Sequence, residues 1–315
     1  MNETGITGYD IIGDVHGHCD ILEALLSEMG YVHDGVCFSH PDRKAIFVGD
    51  LIDRGPKIRE TLELVKAMSD NDQALVTAGN HEYNAVCFCT QNEQGEWLRE
   101  HSKKNLRQFQ ATQDAFTDFP AEWASYLDWF KELPLFLDME GFRVVHACWS
   151  QRHIDILKEK KLNNEEFLQK SAIHGTREFH AIETVLKGPE IQLPEGICVT
   201  DKEGNVRKKI RVKWWNHLEG GTFNSLAFPT VSELPSIPVL ESSVHEPWDV
   251  YPDSSPPVFV GHYWLPPQSP APYQNVACLD YSVAKNGFIG AYRWDSGATT
   301  ITSESFVISH SITQS

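Results

Sequence analysis

Short apolar runs along the chain stop repeatedly at a polar residue that can bind a metal ion or a proton. The runs are rich in Val, Ile and Phe, and each is short enough to form a buried strand. They occur in the segments IIGDVHG (11–17), IFVGDLIDRG (46–55), QALVTAGNHE (73–82), FRVVHA (142–147) and PVFVGHYW (257–264). The pattern predicts strands whose polar ends meet at one edge of a sheet.

Helical periodicity follows the first two of these strands. In DILEALLSEMG, apolar residues recur at helical spacing, Asp20 and Glu23 predict a capping box, and Gly30 predicts the end of the helix. In RGPKIRETLELVKAM, Pro56 is expected in the first helical turn, and the apolar stripe consists of Ile58, Leu62, Val65 and Met68. A strand followed by a helix, twice in succession, indicates an α/β fold, in which ligands bind at the carboxyl ends of the strands.

The rest of the chain divides into a helical part, an irregular part and a strand-rich tail. Residues 84–133 are predicted to be helical, and a hairpin turning at 139–141 leads to His146. Between His146 and His262 we expect a charged helical stretch at about 152–187, a hairpin through 201–205 and a long loop at 228–257. The tail after residue 275 alternates strand-like runs with turns and is expected to complete a sheet.

These patterns predict one domain over residues 1–315. Its catalytic core would comprise residues 9–147 and 257–315, and an insertion or cap would occupy about 150–256.

Composition narrows the class of protein. The chain has 315 residues, 41% of them hydrophobic, and a net charge of −17, which disfavours a nonspecific nucleic-acid binder because phosphate contacts need a basic surface. No apolar run approaches the roughly 18 residues of a membrane span, and the first residues lack the features of a signal peptide. The seven cysteines contain no C-x-x-C pair, so neither a disulfide framework nor a thiolate zinc site is indicated. We expect a cytoplasmic protein that binds neither nucleic acid nor a membrane.

The polar residues at the strand ends form a candidate metal-binding set. A single loop aspartate or histidine more often caps the backbone than binds a metal. The combination is more informative, because carboxylate, amide and imidazole ligands are those that hard and borderline divalent metals prefer. The members of the set are Asp14, His16, Asp50, Asn80, His146 and His262.

Three motifs give this set a family resemblance. They are G-D-x-H-G at 13–17, G-D-x-x-D-R-G at 49–55 and G-N-H-E at 79–82. With them, the sequence resembles the calcineurin-like metallophosphoesterases, in particular the phosphoprotein phosphatase branch that also includes bacterial diadenosine tetraphosphatases. The resemblance implies an αββα sandwich, in which two mixed sheets are flanked by helices.

The two later motifs depart from the family pattern. His146 is followed by Ala147 and Cys148, where the family usually has His-Gly-Gly. Gly-His at 261–262 is followed by Tyr263 and Trp264, whereas the phosphodiesterases of the superfamily usually carry Gly-His-x-His. The second departure points to the phosphomonoesterase branch.

The resemblance also implies a site with two divalent metal ions. One ion would be held by Asp14, His16 and Asp50, and the other by Asp50, Asn80, His146 and His262, so that Asp50 bridges the two. We expect Mn²⁺, with iron, zinc and nickel as the alternatives.

Catalytic and substrate-binding roles follow from the same motifs. His81 would protonate the leaving group, Asp53 would orient its imidazole, and Arg54 would bind two phosphate oxygens. Glu82 is either a partner of a metal-binding residue or a helix-start acid.

A second phosphate clamp is expected between the last two motifs, from Arg177 or Arg211. We favour Arg211, because it lies on a strand-like run, where alternation fixes the direction of a side chain.

The resulting prediction is a phosphatase that hydrolyses phosphomonoesters, as the phosphoprotein phosphatases do, by attack of a metal-bridging hydroxide. The expected substrates are a phosphoprotein, a small phosphomonoester or a dinucleoside polyphosphate. The main alternative is a symmetrical bis(5'-nucleosyl)-tetraphosphatase. A non-catalytic metal-binding scaffold is disfavoured, because it would need neither the proton donor His81 nor the phosphate clamp Arg54.

Overall fold

Strands and helices alternate along the first half of the chain. A computed structural model describes residues 5–200, 204–231, 233–240, 243–244, 248–268 and 270–309. The strands are β1 (Gly8–Ile12), β2 (Val32–His33), β3 (Phe38–Ser39), β4 (Arg43–Phe47), β5 (Ala74–Val76), β6 (Phe136–Met139), β7 (Phe142–Val145), β8 (Glu190–Gln192), β9 (Val199–Thr200), β10 (Val206–Arg207), β11 (Lys209–Arg211), β12 (Val258–Val260), β13 (Val276–Cys278), β14 (Asp280–Tyr281), β15 (Phe288–Asp295) and β16 (Phe306–Ile308). The α-helices are α1 (Cys19–Glu28), α2 (Ile58–Asp70), α3 (Asn80–Phe88), α4 (Lys103–Phe116), α5 (Pro120–Glu132), α6 (Gln151–Leu157), α7 (Glu165–Ala172), α8 (Arg177–Lys187) and α9 (Phe223–Leu226).

Two mixed sheets form the centre of the fold. The first has the order β14-β15-β1-β4-β5, with β16 paired to β15, and β1, β4 and β5 are parallel. The second has the order β13-β12-β7-β6, with β12 parallel to both β7 and β13. The tail after residue 275 forms strands, as predicted, and it contributes them to both sheets and not to one alone.

The sheets pack face to face through one layer of apolar side chains. Phe142 of the second sheet contacts Trp294 of the first at a ring-centroid distance of 5.2 Å, and Phe259 contacts Tyr292 at 4.9 Å. Neighbouring residues on the strands, such as Ile12, point the opposite way into a larger core shared with the helices. Helices outside two packed sheets give the αββα sandwich that the resemblance implies, and the predicted fold class is confirmed.

The first two helices match the predicted pattern except at their starts. The stripe of α2 is buried, and Gly30 ends α1 with a φ of 94°. The capping box is wrong, because α1 begins after His18 without a side-chain cap and Asp20 instead accepts a hydrogen bond from Lys57 Nζ at 2.6 Å. Pro56 is also wrong as a helical residue: the N-cap of α2 is Lys57, whose backbone N–H bonds to the carbonyl of Gly17 and extends the preceding loop.

The segment between the last two motifs contains two kinds of structure. The charged stretch forms α6, α7 and α8, which contribute apolar side chains to the larger core. Strands β8 and β11 and helix α9 belong instead to a separate small apolar cluster. Strands β9 and β10 pair on either side of the predicted turn at 201–205, of which residues 201–203 lie outside the described part.

The predicted loop at 228–257 contains no α-helix or β-strand within its described residues, while residues 232, 241–242 and 245–247 lie outside them. The boundaries of the insertion remain a prediction. None of the helices in the described ranges is long and apolar enough to cross a membrane.

Candidate metal centre

The carboxyl ends of five strands bring the predicted metal ligands together. Asp14 and His16 follow β1, and the other four candidates follow β4, β5, β7 and β12 in turn, namely Asp50, Asn80, His146 and His262. All six side chains are buried. The polar strand ends thus meet in one place, as predicted, but they belong to two sheets and not to the edge of a single sheet.

The backbone at this centre is strained at several positions. His16, Asp50, Asp53, Arg54 and His262 all have left-handed φ values, between 46° and 71°. Such a conformation costs a non-glycine residue on the order of 1–3 kcal/mol, and it persists where surrounding contacts fix it. Here the carbonyl of Asp50 accepts hydrogen bonds from the N–H groups of Val15 and His16.

Glu82 holds the loop that carries Asp50. Its buried carboxylate accepts hydrogen bonds from the backbone N–H groups of Asp50 and Leu51, both at 2.8 Å, and of Gly79 at 2.9 Å. Burial and the nearby Asp50 raise the pKa of Glu82 more than these N–H groups lower it. Glu82 is in the first turn of α3, so it is a helix-start acid and a partner of a candidate ligand at once.

Asp50 lies between two groups of potential ligand atoms. Its Oδ2 is 3.7 Å from His16 Nε2 and 3.3 Å from His146 Nε2. On one side, Asp14 Oδ2 is 3.9 Å from His16 Nε2. On the other, Asn80 Oδ1 is 3.2 Å from His146 Nε2 and 2.6 Å from His262 Nδ1. The carboxylate of Asp50 is therefore placed so that two cations could share it.

His81 also lies within reach of the first group. Its Nε2 is 3.8 Å from Asp50 Oδ2, and the side chains of His16, Asp50 and His81 offer ligand atoms within 4.8 Å of one another. The opposite nitrogen of His81 is bound to Asp53 at 2.5 Å. Asp14 offers the first group two carboxylate oxygens, which accept hydrogen bonds from the N–H of His262.

The histidines are oriented so that a nitrogen lone pair faces the carboxylates. Backbone carbonyls lie 2.8 Å from Nδ1 of His16 and of His146, so in each neutral imidazole Nδ1 donates to the carbonyl and Nε2 keeps its lone pair. His16 Nε2 is buried and has no hydrogen-bond partner among the described residues. A lone pair that faces two carboxylates is satisfied by a cation between them, so this donor set fits a divalent metal.

The pKa shifts of the buried carboxylates also fit a divalent metal at this centre. Burial, together with the charges of Asp280 and Asp50, raises the pKa of Asp14 well above its usual range. Burial also opposes ionisation of Asp50, but the imidazoles of His146 and His81 outweigh it and hold the pKa of Asp50 well below its usual range. Crowded buried carboxylates of this kind are stabilised by bound cations.

The candidate proton donor and phosphate clamp lie beside the metal ligands. The Thr112 hydroxyl donates a hydrogen bond to Asp53 Oδ1 and accepts one from Asp53 N, which fixes the carboxylate that holds His81. Arg54 Nη2 is 3.3 Å from His81 Nε2, and its guanidinium stacks on Trp264 at 3.8 Å from the ring centroid. Thr112 belongs to α4, and no pattern in the sequence singled it out.

The two candidates for a second clamp occupy different places. Arg211 Nη1 donates a hydrogen bond to the carbonyl of His262 at 3.1 Å, and Arg211 lines the cavity at the metal centre. Arg177 is exposed at the start of α8, outside that lining.

Cys148 is buried, and burial raises the pKa of its thiol well above the usual range, which fits a packing role.

A cavity of about 1070 Å³ extends away from the metal centre. Basic side chains line it in addition to Arg54 and Arg211, among them Arg99, Lys104, Arg152, Arg207 and Lys209. Aromatic side chains lie between them, including Phe88, Phe109, Phe179 and Trp248. His174 and His180 also line this cavity, and the sequence patterns did not predict its basic character.

Comparisons with known proteins agree with this geometry. A family model described as calcineurin-like phosphoesterase matches residues 9–228. An asymmetrical bis(5'-nucleosyl)-tetraphosphatase from Halalkalibacterium halodurans is 45% identical over 74 residues, which is 23% of this chain and 30% of that protein. A symmetrical bis(5'-nucleosyl)-tetraphosphatase from Vibrio cholerae is 33% identical over 137 residues, which is 44% of this chain and 43% of that protein. The matches thus span less than half the length of these curated relatives.

A solved structure shares the fold. A protein serine/threonine phosphatase from Saccharomyces cerevisiae is similar with a TM-score of 0.55 and 13% identity, over 98% of this chain and 80% of that one.

Proposed function

This chain belongs to the calcineurin-like phosphoesterase family, and we propose that it is a metal-dependent phosphoric ester hydrolase with a dinuclear centre. The observation that carries the proposal is the position of Asp50, which lies between His16 on one side and His146 on the other. A proton donor, His81, and a phosphate clamp, Arg54, lie directly beside it.

The ligands would divide between two cations that share Asp50. Asp14, His16 and Asp50 would hold one, and Asp50, Asn80, His146 and His262 would hold the other. Two divalent cations, when bound, lower the pKa of water and neutralise charge on the phosphoryl oxygens. The donor set contains oxygen and imidazole nitrogen without thiolate, which suits Mn²⁺ as well as iron, zinc or nickel.

The side chains around the centre would bind the phosphoryl group and protonate the leaving group. Arg54 presents a planar fork for two phosphate oxygens, and stacking on Trp264 holds that fork in place. Arg211, whose guanidinium is bonded to the carbonyl of His262, would be a second contact to the phosphoryl group. His81, held through Nδ1 by Asp53, keeps Nε2 directed at the centre, where it would give its proton to the departing oxygen.

Two substrate classes are candidates for this site. Trp264, at the position of the second histidine in the Gly-His-x-His motif of the phosphodiesterases, favours a phosphomonoester. The cavity favours a dinucleoside polyphosphate, because about 1070 Å³ lies at the upper end of ordinary ligand pockets and its walls are basic and aromatic. The relatives named as tetraphosphatases support the same choice. We place the dinucleoside polyphosphate first.

A substrate panel on metal-reconstituted protein tests both parts of this proposal. We would strip the protein of metal, add Mn²⁺, and measure kcat/KM for p-nitrophenyl phosphate, a phosphopeptide and diadenosine tetraphosphate. We expect no activity in the stripped protein, recovery with Mn²⁺, and the highest kcat/KM for the tetraphosphate. Full turnover in a verified metal-free preparation would sink the dinuclear mechanism, and a preference for the phosphopeptide would reverse the order of substrates.

A further inference from the structure

Arg99 is a partly buried cation on the cavity wall, away from the residues assigned to catalysis. Three neutral amide side chains hold its guanidinium: Nη1 donates to Asn84 Oδ1 at 2.8 Å, and Nη2 donates to Asn105 Oδ1 at 3.0 Å and to Gln108 Oε1 at 3.3 Å. Arg99 therefore has a fixed position between α3 and α4.

The amides fix this guanidinium without neutralising its charge. Within the described ranges, no carboxylate lies within 4.0 Å of Arg99. A guanidinium has five N–H donors, so the three amide bonds leave Nε–H and one Nη1–H without a protein acceptor among those residues. Burial lowers the pKa of Arg99, as expected for a cation that gives up water without gaining a close anion. A partly desolvated cation with open donors is suited to binding an anion.

The location of Arg99 relates it to the metal centre. Asn80 and Asn84 are four residues apart on α3, so they share one face of the helix and lie about 6 Å apart along its axis. Asn80 is at the metal centre, and Asn84 holds Arg99. Lys104, at the start of α4, lines the same cavity. An anion at Arg99 would thus lie roughly one helical turn from a phosphoryl group at the metal centre.

We propose that Arg99 and Lys104 form a second anion subsite, which binds a phosphoryl group of the substrate other than the one being cleaved. The ligand class is a polyphosphate chain, and this inference rests on the proposed function of the adjacent centre. The subsite would make the enzyme select substrates with several linked phosphoryl groups over monoesters.

The competing explanation is that Arg99 only fastens the loop before α4 to α3. If Arg99 had only this structural role, its loss would weaken the binding of all substrates alike, because it would loosen the cavity wall whichever ligand is bound. Loss of an anion subsite would affect only ligands long enough to reach it. The ratio between a polyphosphate and a monophosphate ligand therefore separates the two.

The test compares Arg99→Gln with Arg107→Gln, a matched control. Arg107 lies on the exposed face of α4, outside the cavity lining, so both variants lose the same charge. On metal-free protein, calorimetry would measure binding of inorganic tripolyphosphate and of orthophosphate. We expect Arg99→Gln to weaken tripolyphosphate binding about 10–100-fold, the loss for a hydrogen bond to a charged group, while orthophosphate changes by less than about twofold. Arg107→Gln should match the parent with both ligands.

Kinetics on the Mn²⁺-reconstituted enzyme supply the second measurement. In Arg99→Gln, kcat/KM for diadenosine tetraphosphate should fall about 10–100-fold, and that for p-nitrophenyl phosphate should stay within about twofold. If Arg99→Gln does not fold, as a urea transition would show, Lys104→Gln replaces it, since Lys104 is exposed and its removal leaves the amide contacts intact.

Each outcome decides the proposal. The subsite would be overturned if Arg99→Gln lost affinity equally for both ligands or lost it for neither. It would also be overturned if the parent did not bind tripolyphosphate and the variant's kinetics were unchanged. If the parent hydrolyses none of the substrates but binds tripolyphosphate through Arg99, the subsite stands and the proposed function fails.

Discussion

Replacement of His81 by alanine is the most direct test of the proposed chemistry. His81 Nδ1 is fixed by Asp53 at 2.5 Å, and Thr112 fixes Asp53 in turn, so the imidazole needs little reorganisation before it donates a proton. Its Nε2 lies 3.8 Å from Asp50 Oδ2, close to the centre, and the proposed ligand set is complete without it. His81→Ala should therefore retain both metal ions and lose turnover.

The size of the loss should depend on the leaving group. A positioned general acid contributes about 10²–10⁴-fold, or about 2.7–5.4 kcal/mol of barrier, when the departing oxygen is strongly basic. An alkyl phosphate should lose rate within this range. For p-nitrophenyl phosphate, whose leaving group departs without a proton, the loss should be less than about tenfold.

The assay measures kcat for both esters in the parent, in His81→Ala and in His217→Ala, together with metal content by mass spectrometry. His217 is exposed and lies outside the cavity lining, so its variant controls for the loss of an imidazole elsewhere. Equal losses for the alkyl and aryl esters in His81→Ala would refute protonation of the leaving group. Loss of metal in the same variant would show that His81 is a ligand.

Three further changes test the neighbouring assignments. Asp50→Asn should lower the content of both metal ions together with turnover, and near-parent metal content in mass spectrometry would contradict its shared position. Thr112→Val should lower kcat about tenfold with little change in KM and a shifted pH profile, because it removes the hydroxyl that positions Asp53; an unchanged profile would indicate a packing role. Arg211→Ala should lower kcat/KM by about 1.5–3 kcal/mol with metal retained, whereas exposed Arg177→Ala should match the parent; the reverse result would move the second clamp to Arg177.

The arrangement of the site could be predicted because it follows from strand ends. Buried strands are visible as short apolar runs, and the first polar residue after each run lies at the sheet edge. Since the parallel strands of a sheet end on the same side, the residues after β1, β4 and β5 can be grouped from the sequence alone, whereas the packing of the second sheet on the first brings His146 and His262 to the same place. The hydrogen bond from His262 N to Asp14 Oδ2, at 3.1 Å, is a direct consequence of that convergence.

The errors at the helix starts have a common cause. A capping pattern describes what a short peptide does in isolation, whereas here tertiary contacts determine the start of each helix. Asp20 is drawn to Lys57 across a loop, and the N–H of Lys57 is bonded to Gly17 on the neighbouring strand-end loop. The loops after β1 and β4 thus support each other, and both helices begin where that contact ends.

Residues outside the strand ends could not be found in the same way. Thr112 and Arg99 lie on or near α4, in a segment whose polar residues have the pattern of a solvated helix face. What gives them a role is the docking of α4 against α3 and against the loop after β4. That contact brings the hydroxyl of Thr112 to Asp53 and the amides of Asn84 and Asn105 to Arg99.

The charge of the cavity, like the positions of Thr112 and Arg99, is set by the fold and cannot be read from the composition of the chain. A net charge of −17 repels polyanions at long range, but salt screens that repulsion beyond about 8 Å at physiological ionic strength. Affinity for a phosphorylated substrate therefore depends on cations that the substrate touches. These come from segments as separate as Arg54, Arg99 and Arg211, which together line one cavity. The acidic composition disfavours a basic outer surface, and it carries no information about a basic interior wall that the fold assembles.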